Sequence, residues 1–183
     1  MTASAQQDTT VFPAGSYEGD AVHSTANFTV KYVVSSFTGS FEDVDASLEV
    51  GDDGQVKLVG KVSADSVLVK DENLTAHLKG PDFFDTEKYP ELTFESTDVT
   101  RDGENVRVVG DLTIKGNTQR VEGTGTVVGP VEDFMGNTKV GLTLETVVDR
   151  TSFGVDWNAA LPAGGFALAN DVKLVVDLQF VKA

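Results

Sequence analysis

The sequence predicts an all-β protein, an extended eight-stranded antiparallel up-and-down barrel with one short helix inserted between strands. Three observations carry this reading. Apolar and polar residues alternate at period two over run after run, as they do in strands with one buried face. Turn signals such as Gly51-Asp-Asp-Gly54, Arg101-Asp-Gly-Glu104 and Lys115-Gly-Asn-Thr118 join consecutive runs as hairpins, which gives a meander. Only about residues 71–90 escape the alternation, and they place a helix and paired aromatics where a barrel would have its mouth.

The elements follow in order. Phe28, Val30 and Tyr32 alternate with Asn27, Thr29 and Lys31 in the first run. After Phe41, residues Val44, Ala46, Leu48 and Val50 alternate with acidic residues and Ser47 in the second, and Val56, Leu58, Val62 and Ala64 share a face in the third. Asp71 as a cap, good helix formers around His77 and the terminating Gly80 predict a short helix. Phe83, Phe84, Tyr89 and Pro90 then form a tight aromatic turn. Leu92, Phe94 and Ser96 open the fourth strand. Val106, Val108, Gly110, Leu112 and Ile114 form the fifth, and Val121, Gly123, Gly125 and Val127 the sixth. Val140 to Val148 and Val172 to Phe180 supply the last two, with Leu174 on the inward face of the eighth. Between them, Leu161 to Ala169 is glycine-rich but lacks the Lys-Ser/Thr ending and following helix of a phosphate cradle. It reads as a flexible loop carrying Phe166 and Leu168 toward the mouth.

Strands of about 11–14 residues, tilted near 40°, would make a barrel about 30 Å tall, with a tube for an interior. Small residues at Ala46, Gly60, Ala64, Ser96, Gly110, Gly123 and Gly125 fall on the apolar face. They either leave room inside or mark bulges that coil the sheet.

At 183 residues the chain fits one domain, with residues 1–14 expected as a flexible N-terminal segment and 15–183 as the barrel. A net charge of −15, from 14 basic and 29 acidic residues, argues against nucleic acid and anionic lipid surfaces as partners. With no cysteine, disulfides and thiolate chemistry are excluded. Residues 1–16 have neither a basic start nor an apolar run, and no segment has the length and apolarity of an integral membrane helix, so the expected location is the cytoplasm. His23 and His77 do not form a metal-ligand pattern, and no metal or catalytic cofactor is expected. His23 and Ser24, adjacent on one strand, face opposite ways and cannot assemble a nucleophile with its base; the rim of the barrel is their expected place.

Four blocks, taken in order, resemble the YceI-like family of polyisoprenoid-binding proteins over nearly the whole chain. They are Ala14-Gly-Ser-Tyr17 with His23-Ser24 and Phe28-Thr-Val30; Phe83-Phe-Asp-Thr-Glu-Lys-Tyr-Pro90 with Phe94-Glu-Ser96; Val109-Gly-Asp-Leu-Thr-Ile-Lys-Gly116; and Asp149-Arg-Thr-Ser-Phe-Gly154 with Trp157. The resemblance implies a lipocalin-like barrel around a long apolar pocket that binds an isoprenoid chain or similar amphiphile, without a shared catalytic set. Many members carry His where this chain has Tyr32, and many are exported.

The expected function is binding, carriage or storage of a polyisoprenoid, an isoprenoid quinone or a similar lipid in the lumen, by a protein that is not an enzyme. The alternatives are an enzyme acting on a small apolar or quinone-like substrate and a stress-related structural protein without cargo. Expected ligand-binding residues are Phe28, Val30, Phe41, Phe94, Gly110, Leu112, Ile114 and Leu174 along the strands, with Phe153 and Trp157 from the fourth block. Phe83, Phe84 and Phe166 would form an apolar rim, and Tyr32, His77, Tyr89 and Ser96 would tune the head end. Arg150 either closes one end of the barrel through carbonyls or a carboxylate, or meets a phosphate head. A homodimer is compatible with the sequence.

Overall fold

The computed structural model describes residues 12–183. The expected flexible segment 1–14 therefore lies outside the described residues except for its end, where Phe12 is buried against Tyr17 with ring centroids 6.4 Å apart.

The barrel is closed and antiparallel, and its eight staves run in sequence order. Three of them are broken. The first stave consists of β1 (Gly15–Gly19) and β2 (Thr25–Tyr32), the second of β3 (Ser35–Phe41) and β4 (Val44–Val50), and the third of β5 (Val56–Ser63) and the two-residue β6 (Val67–Leu68). The other five are continuous: β7 (Glu91–Asp102), β8 (Asn105–Ile114), β9 (Asn117–Glu132), β10 (Thr138–Asp149) and β11 (Leu168–Lys182). The last stave closes the ring on the first, Val172–Asp177 pairing with β2 and Phe180–Lys182 with β1.

The eight runs legible in the sequence all become staves, but the first two are longer than their alternation suggests. Segment 35–41 is Ser, Thr or Gly at five of its seven positions and shows little apolar signal, yet Phe37, Gly39 and Phe41 keep period two against β2. Gly39 sits opposite Phe28, whose ring lies where a Cβ would be, so the glycine is required by the aromatic facing it.

The break between β1 and β2 is stitched by the residues expected at the rim. Asp20 accepts from the backbone N–H groups of Val22 and His23 and lies 2.7 Å from His23 Nδ1, which holds its carboxyl below the usual range. Ser24 Oγ accepts from Gln179 N–H at 3.2 Å, where the ladder lapses. His23 and Ser24 thus lie in the wall and not at the rim.

At the end that carries the β4–β5, β7–β8 and β9–β10 hairpins and the C-terminus, Phe12, Tyr17, Leu48, Leu142, Val140 and Phe180 pack into a solid floor. The tall open tube expected from strand length is corrected accordingly: the lower part of the barrel is filled core. The β9–β10 turn at this end is built on Asp133, which accepts from Asn137 N–H at 2.9 Å, from Met135 N–H at 2.8 Å and from Asn137 Nδ2 at 3.3 Å, with Lys139 Nζ at 3.4 Å. These donors lower its pKa from 3.8 to about 2. Because the folded value is the lower one, its stabilisation is complete above about pH 4 and lost as the pH falls toward 2. Asp133→Asn is expected to melt below the parent at pH 6, with the gap closing near pH 2. A gap that does not change with pH would show that the charge contributes nothing.

Candidate functional site

The other end of the barrel carries the long connections. The helix α1 spans Glu72–Lys79, between the expected cap Asp71 and the expected terminator Gly80. Asp71 caps it by accepting from Leu74 N–H at 2.9 Å. Gly80 ends it with φ −81°, in extended conformation, so the left-handed cap that glycine usually supplies is not used here. Among the described residues strand β6 pairs only with β3, and the insertion of residues 69–90 packs at the edge this leaves. Thr75 Oγ1 donates to Val69 O, and Ala64 N–H donates to Pro90 O.

Phe83 and Phe84 diverge from this insertion. Phe84 turns inward onto Phe41 and Phe28, with centroids 5.3 and 6.2 Å away. Phe83 is buried beneath His77 and Trp157, at 4.9 and 5.4 Å. Lys115, at φ 50° in the two-residue β8–β9 turn, reaches across to Pro81 O at 2.7 Å and to Gly154 O at 3.3 Å, tying the cover to the β10–β11 connection.

That connection explains the block beginning at Asp149. Asp149 caps a single 3₁₀ turn, accepting from Thr151 N–H and Oγ1, which lowers its pKa. Gly154 reverses the chain at φ 75°, and Phe153 is driven into the barrel. Arg150, 7% exposed, donates from Nε to Ala169 O at 2.8 Å and from Nη1 to Val155 O at 2.7 Å and Trp157 O at 2.9 Å. Of the two readings of Arg150, the carbonyl partners are the ones observed. One buried guanidinium therefore fastens the whole loop over the barrel end.

Between this cover and the floor lies a cavity of about 240 Å³. On β11 alone its lining runs from Leu168 to Leu178, roughly 25 Å of barrel height at the usual rise and tilt, so the space is long and thin. The lining is aliphatic and aromatic nearly throughout. Lys61 and Glu145 touch it, but their side chains pair outside, with Asp45, Glu91 and Lys173. Arg150 is the buried ionic side chain of the lining.

The structure brings together Phe28, Val30, Phe41, Phe83, Phe84, Phe94, Leu112, Ile114, Phe153 and Leu174 around this cavity. The remaining expected site residues lie elsewhere. Tyr32 is on the rim, 48% exposed, with its ring edge on Phe37. His77 is held by Asp82 at 3.0 Å on the outer side of the cover, and Trp157 meets its ring edge to face. Tyr89 rests on Gly116, and Ser96 Oγ accepts from Leu58 N–H at 2.8 Å where β5 and β7 part. Phe166 is 67% exposed in the loop, although Leu168 does reach the lining.

Gly110 is the clearest correction. It has the inward parity, but the Phe94 ring covers it, with Cζ 2.5 Å from where a Cβ would stand, and the Glu95 carbonyl is closer still. Gly125 lies still more tightly against the Thr143 carbonyl. The room is made instead by Ala46, Gly60 and Gly123, which all line the cavity; a Cβ at Gly60 would meet nothing nearer than 4.0 Å and one at Gly123 nothing nearer than 3.5 Å. Sequence reasoning also missed Phe37, whose strand lacked an apolar signal, and Val155, in an irregular segment.

Comparison with known proteins agrees with this architecture. The YceI-like domain model matches residues 17–180. A UPF0312 protein of Staphylococcus aureus (strain N315) is 34% identical over 165 residues, covering 88% of this chain and 94% of the relative. Among solved structures, Burkholderia cenocepacia BcnA superposes with TM-score 0.74 at 20% identity, over 88% of this chain and 98% of that one. A polyisoprenoid binding domain from Saccharophagus degradans gives 0.67 at 15% identity, over 91% and 98%. At those identities the structural likeness is one of fold. The family model, which spans almost the whole barrel, and the staphylococcal relative together show that the chain belongs to the YceI-like family.

Proposed function

We propose that the protein binds one long apolar chain, a polyisoprenoid or the tail of an isoprenoid quinone, inside the barrel, and carries or stores it without transforming it. The observation that carries this reading is the shape and chemistry of the cavity: long, thin, closed below and lined by hydrocarbon. A compact ring system would leave most of that length unfilled, whereas a single chain fills it. The polyisoprenoid-binding relative from Saccharophagus degradans shares the fold and supports the same ligand class.

Burial of each CH₂ contributes about 0.8 kcal/mol, so several isoprene units supply ample gross affinity even after the entropy of ordering a flexible chain is subtracted. Affinity is thus expected to rise with chain length until the cavity is full. Organic extracts of the purified protein are expected to yield a prenyl lipid by mass spectrometry. Competition against a fluorescent apolar probe should rank long prenyl chains above short ones. Equal, weak competition at all lengths would mean surface adsorption and would reject the reading.

A further inference from the structure

Arg150 has five N–H donors, and its three carbonyl partners engage Nε and both hydrogens of Nη1. Nη2 is buried and has no hydrogen-bond partner among the described residues. Nor does any carboxylate there stand within ion-pair distance; Asp149 and Asp156 act on Arg150 only through space, and burial pushes its pKa down. A guanidinium at the wall of an otherwise hydrocarbon cavity is thus left with two unused donors and no carboxylate in contact with it. Buried donors and buried charges are normally satisfied, and an orphan of this kind needs a partner.

We propose that Arg150 receives the anionic oxygen head of the bound amphiphile, a carboxylate or a phosphate, while the chain runs from it toward the floor. The inference rests on the binding reading above. It assigns the head to the covered end of the cavity, because Arg150 lies beneath the β10–β11 connection, and the tail to the end above Phe180 and Tyr17. The rest of the guanidinium is already spent on the loop, so the head meets a donor whose position is fixed before it arrives. Such preorganised, charge-assisted hydrogen bonds are the strong ones. The planar fork also distinguishes this site from one that a flexible ammonium could provide.

The test uses prenyl ligands of one chain length that differ only in the head: hydrocarbon, alcohol, carboxylate and phosphate. With the native protein, the carboxylate or the phosphate is expected to bind on the order of tenfold to a hundredfold more tightly than the hydrocarbon, the gain of hydrogen bonds to a charged group. Which of the two anions binds better identifies the source of the head. In Arg150→Lys, the ratio of anion to hydrocarbon affinity should shrink toward unity, whatever a loosened cover does to the binding of both. If that variant does not fold, the native series decides alone. Equal binding of hydrocarbon and anions would overturn the assignment of Arg150 and leave the apolar-chain reading standing. Failure of every ligand to bind would overturn both.

Discussion

Arg150→Met is expected to lower the melting temperature by roughly 6–20 °C, the mark of a loss of about 3–5 kcal/mol in a chain of this size. The guanidinium is the shared donor for the carbonyls of Val155, Trp157 and Ala169. Methionine fills similar space but donates nothing, so three partly or wholly buried acceptors lose their partner together. The effect should concentrate in the cover, because these carbonyls hold residues 155–169 against the barrel and none of them lies in the floor around Phe180 and Leu48. Hydrogen exchange would show it as early opening of the 150–169 connection. A melting temperature within a degree of the parent would mean that the loop is held by other contacts, such as those of Asn158 with Leu168.

The second large effect separates two glycines that look alike in sequence. Gly110→Leu is expected to cost about 3 kcal/mol or more, at or beyond the upper end of usual overpacking costs, because its Cβ would collide with the Glu95 backbone carbonyl and the Phe94 ring. Backbone cannot swing aside as a long side chain can. Gly123→Leu enters open cavity, with its nearest neighbours at ordinary contact distance, so stability should stay within about 1 kcal/mol. The leucine would occupy space that the proposed ligand needs, and binding of a long prenyl probe should fall sharply. Parallel thermal melts and probe titrations of the two variants give the result. A Gly123→Leu protein that melts normally and binds the long probe as the parent does would place the ligand outside this cavity.

The contrast shows what periodicity can and cannot convey. Parity correctly put Phe28, Val30, Phe94, Leu112, Ile114 and Leu174 on the inner face, because a one-residue slip would have turned every apolar side chain of each strand outward. Parity says nothing about how close the facing backbone comes. Gly110 and Gly125 are small because something already stands there, whereas Gly60 and Gly123 are small because nothing does. The aromatics of the insertion were legible as a unit but not in their directions. Phe84 turns to Phe28 and Phe41 while Tyr89 turns to Gly116, a division set by the helix and the turn that follow from Asp71 and Asp85. Tyr32, Ser96 and Phe166 were polar or rim candidates by position alone, and the tertiary contacts give each of them another task or an outward place. Segment 35–41 was missed for a physical reason: its glycine accommodates a neighbour's ring, and composition within the segment does not reveal a partner across the sheet.

The packed floor gives the cavity a further property. With Phe12, Tyr17, Phe180 and Leu142 filling one end, the barrel is a blind bore and not a conduit. A chain threaded into it is measured against a fixed stop: each unit up to the floor adds affinity, and the next has to coil back or hang out past the cover. On the proposed binding reading, loading and discharge would both take place at the end opposite the floor, the last atoms in being the first out. Exchange with a membrane or another carrier would accordingly be a face-to-face event at the end that bears α1 and the 150–167 connection, and the opposite end, with its packed floor, would play no part in it.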